Sequence, residues 1–226
     1  MALTLRQFGR VWLKPLAFWL LLAPFLWLAG NWIALYSGWP NDLGFNPIEY
    51  THRFLGDTAI RVLLITLAVT PFRDLTGWQP IMIIRRRIGL FAFAYAFMHI
   101  AVYVALDLRF SLIALWDDVI ERTYITFGMI AFAALIPLAI TSHNAMIKRL
   151  GAAAWQRIHY LVYPIAIAAV IHHAFMVKVN QSGPWVHGIV LAALLGWRIA
   201  KRFGIVKART KRRAPAARAS ETSETA

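Results

Sequence analysis

The 226-residue chain contains no cysteine. This absence excludes disulfide bonds, thiolate catalysis, cysteine-ligated zinc and cysteine-held iron–sulfur clusters. A bound metal would therefore need histidine, carboxylate or methionine ligands, and the seven histidines are the leading candidates. The chain also lacks the G-x-G-x-x-G and Walker signatures, so the sequence indicates no nucleotide-binding domain of either kind.

Charged residues are scarce, at 15% of the chain, whereas soluble domains carry about 25%. Hydrophobic residues make up 60% of the sequence, and the mean hydropathy is +0.58. The apolar residues come in blocks about 20 residues long, the length that a helix needs to cross a bilayer. The sequence therefore predicts an all-α, polytopic membrane helix bundle, with membrane lipid as its surroundings.

Acidic residues are few as well, ten against 24 lysines and arginines, which gives a net charge of +14. Such a surplus can indicate nucleic-acid binding. Here the basic residues lie between and after the apolar blocks, where the positive-inside rule places them. We therefore expect no nucleic acid among the partners.

Six membrane-spanning helices are predicted. They cover residues 15–36, 57–72, 88–106, 123–141, 158–177 and 185–200. The first block is too long and too rich in tryptophan for a cleaved signal peptide, so we expect it to be retained as a span. The second block is the shortest, and we expect Thr70-Pro71 and Arg73 to end it. Residues 1–14 form a basic N-terminus, residues 15–203 the membrane domain, and residues 204–226 a basic, disordered tail.

The charges of the loops predict the orientation. One side collects the N-terminus, the basic residues between 73 and 87 and between 148 and 157, and the basic C-terminal cluster. The other side collects most of the acidic residues, between Asp42 and Glu121. The positive-inside rule makes the basic side cytoplasmic, which places both termini in the cytoplasm.

Histidines lie deep in two of the predicted spans: His99 in the third, and His159 and the pair His172-His173 in the fifth. Polar groups are costly in lipid and usually functional. Both spans enter from the inside, so His99 and His172 lie at matching depth in the outer half, and His159 lies near the cytoplasmic face. Two histidines commonly hold a low-spin haem b, so we interpret these residues as ligands of haem iron. His52 and His187 are expected at the outer surface, in contact with solvent or headgroups.

The helical angle leaves His172 and His173 open as alternatives. On an ideal helix His172 lies about 140° from His159 around the axis, and His173 only about 40°. Either His173 is the inward ligand, or the helix is distorted between the two sites. Pro164 provides a cause for distortion, because proline removes a backbone hydrogen bond and kinks a helix.

Aromatic and small residues flank the histidines. The residues that we interpret as the lining of a haem pocket are Phe91, Tyr95, Tyr103, Ala166 and Ala169. The aromatic members recur with His99 at intervals of four, the spacing of one helical face, and the alanines would leave space for a flat ring. The alternative is ordinary helix packing, which uses the same residue types.

The inner site has no evident second ligand. His143, at the inner end of the fourth span, is a candidate partner for His159. Arg86, Arg87 and Arg157 could pair with haem propionates or with a flavin phosphate. Positive-inside marking alone would also place these arginines on this side.

Intramembrane histidines also suit two other functions. A proton-coupled membrane transporter could use them. Such a protein is expected to have acidic residues within its spans as well. Asp57, at the boundary of the second span, comes nearest to this pattern. A structural assembly subunit could satisfy them by hydrogen bonds between helices. We retain the transporter as the alternative to transmembrane electron transfer.

Several motifs together resemble one known family. They are Thr70-Pro71, RRIGL at 86–90, His99, WQRIHY at 155–160 and His172. In residues and spacing they resemble the MsrQ (YedZ) family, part of the ferric-reductase-like and NADPH-oxidase-like transmembrane superfamily. The resemblance runs from the first span to the sixth, and the tail after about residue 207 falls outside it.

The resemblance implies a bacterial inner-membrane protein that holds haem b and also FMN. Such a protein passes electrons from the quinone pool or a cytoplasmic flavin reductase to MsrP, a periplasmic molybdenum-cofactor enzyme. MsrP reduces methionine sulfoxide in oxidised periplasmic proteins, so the membrane subunit needs no substrate-reducing site of its own. The family pattern implies His99, His159 and His172 as the ligands, and it includes neither His173 nor His143. The oxidase-like relatives carry two histidines on the third span, where this chain has one.

Overall fold

The computed structural model describes Gln7, residues 9–176 and residues 183–206, and every regular element in these ranges is helical. The helices are α1 (Lys14–Tyr36), α2 (Pro47–Thr76), α3 (Met82–Val102), α4 (Leu112–Glu121), α5 (Thr123–Ile140), α6 (Asn144–Leu150), α7 (Ala152–His159), α8 (Val162–Met176) and α9 (Gly183–Arg202). A π-helical turn at Gly9–Leu13 precedes α1. A 3₁₀ turn at Gln79–Ile81 and a π-helical turn at Tyr103–Asp107 extend α3 at its two ends.

Six helical stretches of the described chain are long and apolar enough to cross a membrane. They are Val11–Tyr36, Pro47–Thr76, Gln79–Asp107, Thr123–Ile140, Ala152–Met176 and Gly183–Arg202. The predicted all-α bundle of six spans is therefore confirmed. Most of the predicted N-terminal segment before residue 9, the tail from residue 207 and the last residue of the predicted fifth span lie outside the described residues.

The core forms around α2, the most deeply buried of the spans. Its buried side chains include Leu55, Leu63 and Leu67, the last with 0% exposure. α2 packs along α3, and α5 packs along α8, so each pair joins two consecutive spans. Many large side chains of α1, by contrast, face outward, as expected where the solvent is lipid.

The expected end of the second span is wrong. α2 covers Pro47–Thr76 rather than 57–72, and it continues through Pro71. Proline has no amide hydrogen, so the carbonyl of Leu67 loses its normal partner four residues later. Arg198 of α9 donates from Nη2 to this carbonyl at 2.7 Å. The tertiary contact replaces the missing helical bond, and the helix continues.

The fifth span is distorted, which was one of the two alternatives drawn from its sequence. α7 ends at His159, and Tyr160 and Leu161 form a turn before α8 begins. Pro164 is the third residue of α8, where a missing amide hydrogen costs no intrahelical bond. The two halves of the span are thus not one continuous helix, and the ideal angle between His159 and His172 does not apply.

Charged residues separate to the two ends of the bundle. We call the end that carries Asp57, Asp107 and Asp118 the acidic end, and the opposite end the basic end. At the basic end the carboxylate of Asp74, only 4% exposed, pairs with Arg73 at 2.6 Å and with Lys201 at 2.5 Å. This cluster ties the last turn of α2 to the last turn of α9.

Candidate functional site

A cavity of about 400 Å³ opens within the acidic end of the bundle. This volume is within the range of about 300–1,000 Å³ that is usual for cofactor and ligand sites. Residues from five spans line it, and most of them are apolar. The histidines in its wall are His52, His99, His172 and His173.

His99 of α3 and His172 of α8 meet edge to face across this cavity. Their ring centroids are 6.2 Å apart, and their planes make an angle of 79°. Two imidazoles bound to opposite faces of one metal through bonds of about 2 Å have centroids about 6 Å apart. The observed spacing therefore fits a shared metal between the two rings.

Hydrogen bonds set the same tautomer in both rings. Nδ1 of His99 donates to the carbonyl of His52 at 2.9 Å, and Nδ1 of His172 donates to the carbonyl of Tyr124 at 2.6 Å. A carbonyl only accepts, so each Nδ1 carries the proton and each Nε2 keeps its lone pair. Among the described residues, neither Nε2 has a hydrogen-bond partner. This is the state in which histidine ligates a metal.

The expectation that His52 and His187 lie at the surface is wrong. His52 is half-buried, and its ring stacks on that of His99, with centroids 4.0 Å apart and 10° between the planes. His187 is only 7% exposed and packs against the ring of His173 at 5.0 Å. His52 was missed because the second span was expected to begin at residue 57. With α2 starting at Pro47, it lies inside the helix.

His173 also lines the cavity, but it lies in a different polar group from His172. Its Nδ1 is 3.6 Å from a carboxylate oxygen of Asp57, and its ring contacts His187. Nε2 of His173 and Nδ1 of His187 are buried without a hydrogen-bond partner among the described residues. The structure thus places His172, and not His173, at the hydrogen-bonded position facing His99.

The predicted pocket lining divides into two groups. Tyr103 and Ala169 line the cavity, whereas Phe91, Tyr95 and Ala166 pack elsewhere in the bundle. Residues four apart on a helix drift by about 40° around the axis, so three such steps accumulate about 120°. The aromatic stripe therefore wraps around α3, and its two ends face different neighbours.

Tyr95 connects α3 to α1. Its side chain is only 1% exposed. The hydroxyl donates to the carbonyl of Leu21 at 2.6 Å and accepts from the amide of Phe25 at 3.2 Å. These two backbone groups are four residues apart and would otherwise pair with each other, so the hydroxyl lies within the hydrogen-bond ladder of α1 near Pro24.

Two arginines that the sequence interpretation missed stand in the wall of the cavity. Arg53 pairs with Glu49 at 2.7 Å, and Arg122 pairs with Asp118 at 3.0 Å. Asp118 also accepts a hydrogen bond from the hydroxyl of Tyr103. Both arginines are part of a largely apolar lining, so they could bind acidic groups of a ligand. The sequence did not predict their place in the cavity, because each resembles an ordinary charged residue of a loop or a helix end.

His159 lies toward the basic end, apart from the cavity. Its Nδ1 donates to the carbonyl of Trp155 at 3.0 Å, and its ring stacks on the Trp155 indole at 3.9 Å. Nε2 is 3.5 Å from the hydroxyl of Ser142. His143, the candidate partner, is exposed, and its Nδ1 donates to the carbonyl of Ile140 at 2.8 Å.

The three arginines predicted to bind a propionate or a flavin phosphate are spread over the basic end. Arg86 donates to the side-chain carbonyl of Asn144 at 2.7 Å. Arg87 donates to the backbone carbonyl of Lys14. Arg157 is exposed in the last turn of α7. None of the three belongs to the lining of the cavity at the acidic end.

The donor set restricts the kind of metal that the cavity could hold. Among the described residues, no group of three or more His, Asp or Glu side chains is arranged to hold a metal ion. A bare ion would therefore find too few ligands between His99 and His172. A metal that arrives within a macrocycle needs only two further ligands from the protein, and two imidazoles could supply them.

A membrane helix bundle with two histidines facing each other across a cavity fits the class of ferric-reductase-like transmembrane proteins. The family model described as "Ferric reductase like transmembrane component" matches residues 55–170. Over most of its length the chain is similar to curated relatives that carry the name "Protein-methionine-sulfoxide reductase heme-binding subunit MsrQ".

The relative from Caulobacter vibrioides is 41% identical, over 85% of this chain and 86% of its own. The relative from Rhodospirillum rubrum is 41% identical, over 86% and 89%. The relative from Xanthomonas euvesicatoria is 39% identical, over 86% and 88%. The chain belongs to the MsrQ family. Its six apolar helices and this membership fit a multi-pass protein of the bacterial inner membrane.

Proposed function

We propose that the protein carries electrons through the bacterial inner membrane by means of haem b held between His99 and His172. The observation that supports this most directly is the pair of imidazoles 6.2 Å apart, each with its Nδ1 hydrogen bonded to a backbone carbonyl. The name that the MsrQ relatives carry, a heme-binding subunit, agrees with this proposal.

When bound, haem b accepts and releases one electron at a time. The residues of the chain would hold it, orient it and limit the access of water. His99 and His172 would bind its iron through their Nε2 lone pairs. Ala169 leaves room beside His172, and Arg53 and Arg122 offer positive charge to the propionate groups. The largely apolar wall lowers the local polarity, which is one of the factors that set a haem potential.

The electrons leave, in this proposal, at the acidic end, which faces the periplasm. Asp117 and Glu121 of α4 are exposed there, beside the cavity wall that Arg122 and Tyr103 form. The acceptor is a periplasmic molybdenum-cofactor methionine sulfoxide reductase of the MsrP type. That enzyme converts methionine sulfoxide, two electrons and two protons into methionine and water. The membrane subunit supplies the electrons and supports the repair of oxidised periplasmic proteins.

The electrons enter at the basic end, from the quinone pool or from a cytoplasmic flavin reductase. His159 is a ligand or relay on this side; its Nδ1 also donates to a backbone carbonyl, that of Trp155 in its own helix. Arg86, Arg87 and Arg157 supply positive charge for the phosphate of FMN or for propionates. His143 is a lower-ranked ligand there, since its side chain is exposed.

The central experiment compares histidine variants of the purified protein. Haem content is measured as the pyridine haemochrome per mole of protein. His99→Ala and His172→Ala should each lose most of the haem of the outer site. His187→Ala is the matched control, because His187 is buried at the same end but packs on His173. Full haem content in both His99→Ala and His172→Ala would contradict the proposal.

The same preparation tests the alternative function. A proton-coupled transporter predicts a colourless protein, because its histidines would carry protons and not a pigment. The half-buried pair of His173 and Asp57 is the feature that such a transporter would use. A purified wild-type protein without a Soret band, but with proton uptake into vesicles, would favour this alternative. Extraction of the flavin from the same sample measures FMN directly.

A further inference from the structure

Two glycines stand where the imidazoles of the cavity contact a neighbouring helix. A Cβ atom at Gly56 of α2 would lie 3.0 Å from both Cε1 and Nδ1 of His99. A Cβ atom at Gly128 of α5 would lie 2.8 Å from Nδ1 and 2.9 Å from Cε1 of His172. These separations are shorter than the van der Waals contact of carbon atoms, about 3.5–4.0 Å. Only glycine leaves each ring in its observed place.

The glycines have a fixed relation to the carbonyls that hold the rings. His99 is bonded to the carbonyl of His52, four residues before Gly56. His172 is bonded to the carbonyl of Tyr124, four residues before Gly128. In a helix each Cα–Cβ bond tilts toward the N-terminus, so the side chain at i+4 lies over the backbone one turn earlier. A residue without Cβ exposes that carbonyl to a side chain from another helix.

We propose that Gly56 and Gly128 are positioning residues for the two histidine ligands. Each glycine uncovers the carbonyl one turn before it, the carbonyl receives the Nδ1 proton of the imidazole, and Nε2 is left for the cavity. This inference rests on the proposed function, since it concerns how the ligands are oriented. The same three-part contact occurs twice, once between α2 and α3 and once between α5 and α8.

The arrangement has two consequences for the rings. A carbonyl partner at Nδ1 keeps Nε2 unprotonated and raises its basicity as a ligand. The two carbonyls also set the directions of the ring planes, which lie 79° apart. An alanine at either glycine would push one ring off its carbonyl and turn its plane. The signals of a low-spin ferric haem in electron paramagnetic resonance depend on this angle, so the effect is measurable without an activity assay.

The experiment uses Gly56→Ala and Gly128→Ala in the full chain, purified with haem. The controls are Gly30→Ala in α1 and Gly196→Ala in α9, two helical glycines whose added Cβ would meet open space. The readouts are the electron paramagnetic resonance spectrum, the midpoint potential, and the retention of haem against a competing haem-binding protein. We expect the controls to match the wild type. We expect Gly56→Ala and Gly128→Ala to shift the spectrum and to weaken haem retention by about 10- to 100-fold, as loss of an outer-shell partner does at metal sites.

A variant that does not fold needs a second comparison. Gly56→Ala combined with His99→Ala, and Gly128→Ala combined with His172→Ala, remove the ring that the new methyl group would meet. If the single glycine variant fails to give monodisperse protein, its double variant should behave as the single histidine variant does. A double variant that also fails would show that the glycine serves packing alone and would overturn the inference.

The outcomes separate this inference from the function on which it rests. If His99→Ala and His172→Ala lose the haem while both glycine variants keep the wild-type spectrum, potential and retention, the positioning role is wrong and the haem site stands. If both histidine variants keep the haem, the ligand assignment itself fails. The inference is supported if the spectrum and the haem retention change in Gly56→Ala and Gly128→Ala and stay unchanged in the two control variants.

Discussion

Arg198 of α9 donates a hydrogen bond from Nη2 to the carbonyl of Leu67 in α2, at 2.7 Å. This is the carbonyl that Pro71 leaves without an amide partner. The other nitrogens of the guanidinium are also used, Nε by the hydroxyl of Tyr163 at 3.1 Å and Nη1 by the carbonyl of Leu194 at 3.0 Å. One side chain therefore joins three helices and allows a proline to stand inside the most buried of them.

The first prediction follows from this contact. Arg198→Leu leaves the carbonyl of Leu67 buried without a partner, which costs about 1–3 kcal/mol. We expect a lower midpoint of thermal unfolding in detergent micelles. Arg202→Leu is the control, because Arg202 is exposed one turn later in the same helix. Equal midpoints for the two variants would contradict the role given to Arg198.

The second prediction compares two tyrosines of the same stripe. Tyr95→Phe removes the hydroxyl bound to α1, where the freed backbone groups of Leu21 and Phe25 can pair with each other. We expect an unchanged haem spectrum and a loss of stability of about 1 kcal/mol. Tyr103→Phe removes the hydroxyl that reaches Asp118 beside the cavity, and it should alter the haem spectrum. The measurement is the visible spectrum of each variant in the oxidised and the reduced state. A spectrum altered in Tyr95→Phe and unchanged in Tyr103→Phe would mean that Tyr95, and not Tyr103, lines the haem pocket.

The third prediction concerns the two arginines of the cavity wall. A nearby positive charge favours the reduced, less positive iron, so Arg53→Gln and Arg122→Gln should lower the midpoint potential of the outer haem. At an effective dielectric of about 20, the shift should be on the order of tens of millivolts. Arg86→Gln is the control, since Arg86 lies at the basic end and bonds to Asn144. The midpoint potential of each variant is measured by redox titration. A larger shift in Arg86→Gln than in the other two variants would place the haem propionates at the basic end.

The fourth prediction uses the absence of cysteine. A single introduced cysteine can be labelled without background, so Asp117→Cys and Lys148→Cys report on the two sides of the membrane. If the acidic end is periplasmic, an impermeant maleimide should label Asp117→Cys in intact spheroplasts and Lys148→Cys only after disruption. Labelling of Lys148→Cys in intact spheroplasts would reverse the orientation and with it the cytoplasmic termini.

Ile113→Cys extends this experiment to the apolar face of α4. Its exposed apolar side chains recur on one face of the helix, at Leu112, Ile113, Trp116 and Ile120. A helix of this kind between the ends of two spans lies in the headgroup region with that face in the acyl boundary. Ile113→Cys should therefore react more slowly than Asp117→Cys with the same reagent. Equal rates would mean that α4 stands away from the bilayer.

The number of spans and the proximity of His99 and His172 could be predicted because both depend on simple quantities. Apolar length gives the spans, and the direction of each span gives the depth of its histidines. Neither quantity depends on how side chains interlock. The same reasoning placed His159 apart from the outer pair, as the structure does.

The remaining features depend on tertiary contacts that no local pattern contains. The second span extends through Pro71 only because Arg198, far along the chain, replaces a hydrogen bond. His52 joins the cavity only because α2 begins ten residues earlier than its apolar block indicates, at Pro47. The aromatic stripe of α3 turns away from the cavity through a small drift per turn. The role of Gly56 and Gly128 cannot be recognised from the sequence, because it depends on which imidazoles face them in the fold.

The pairing of each imidazole with the span just before its own bears on how the protein is made. His99 takes its carbonyl from α2 and His172 takes its carbonyl from α5, so each contact closes within one helical hairpin. We therefore expect each hairpin to orient its imidazole, with Nδ1 on the carbonyl and Nε2 free, as soon as its two spans pack together. Insertion of haem would then require only that the two hairpins come together around it.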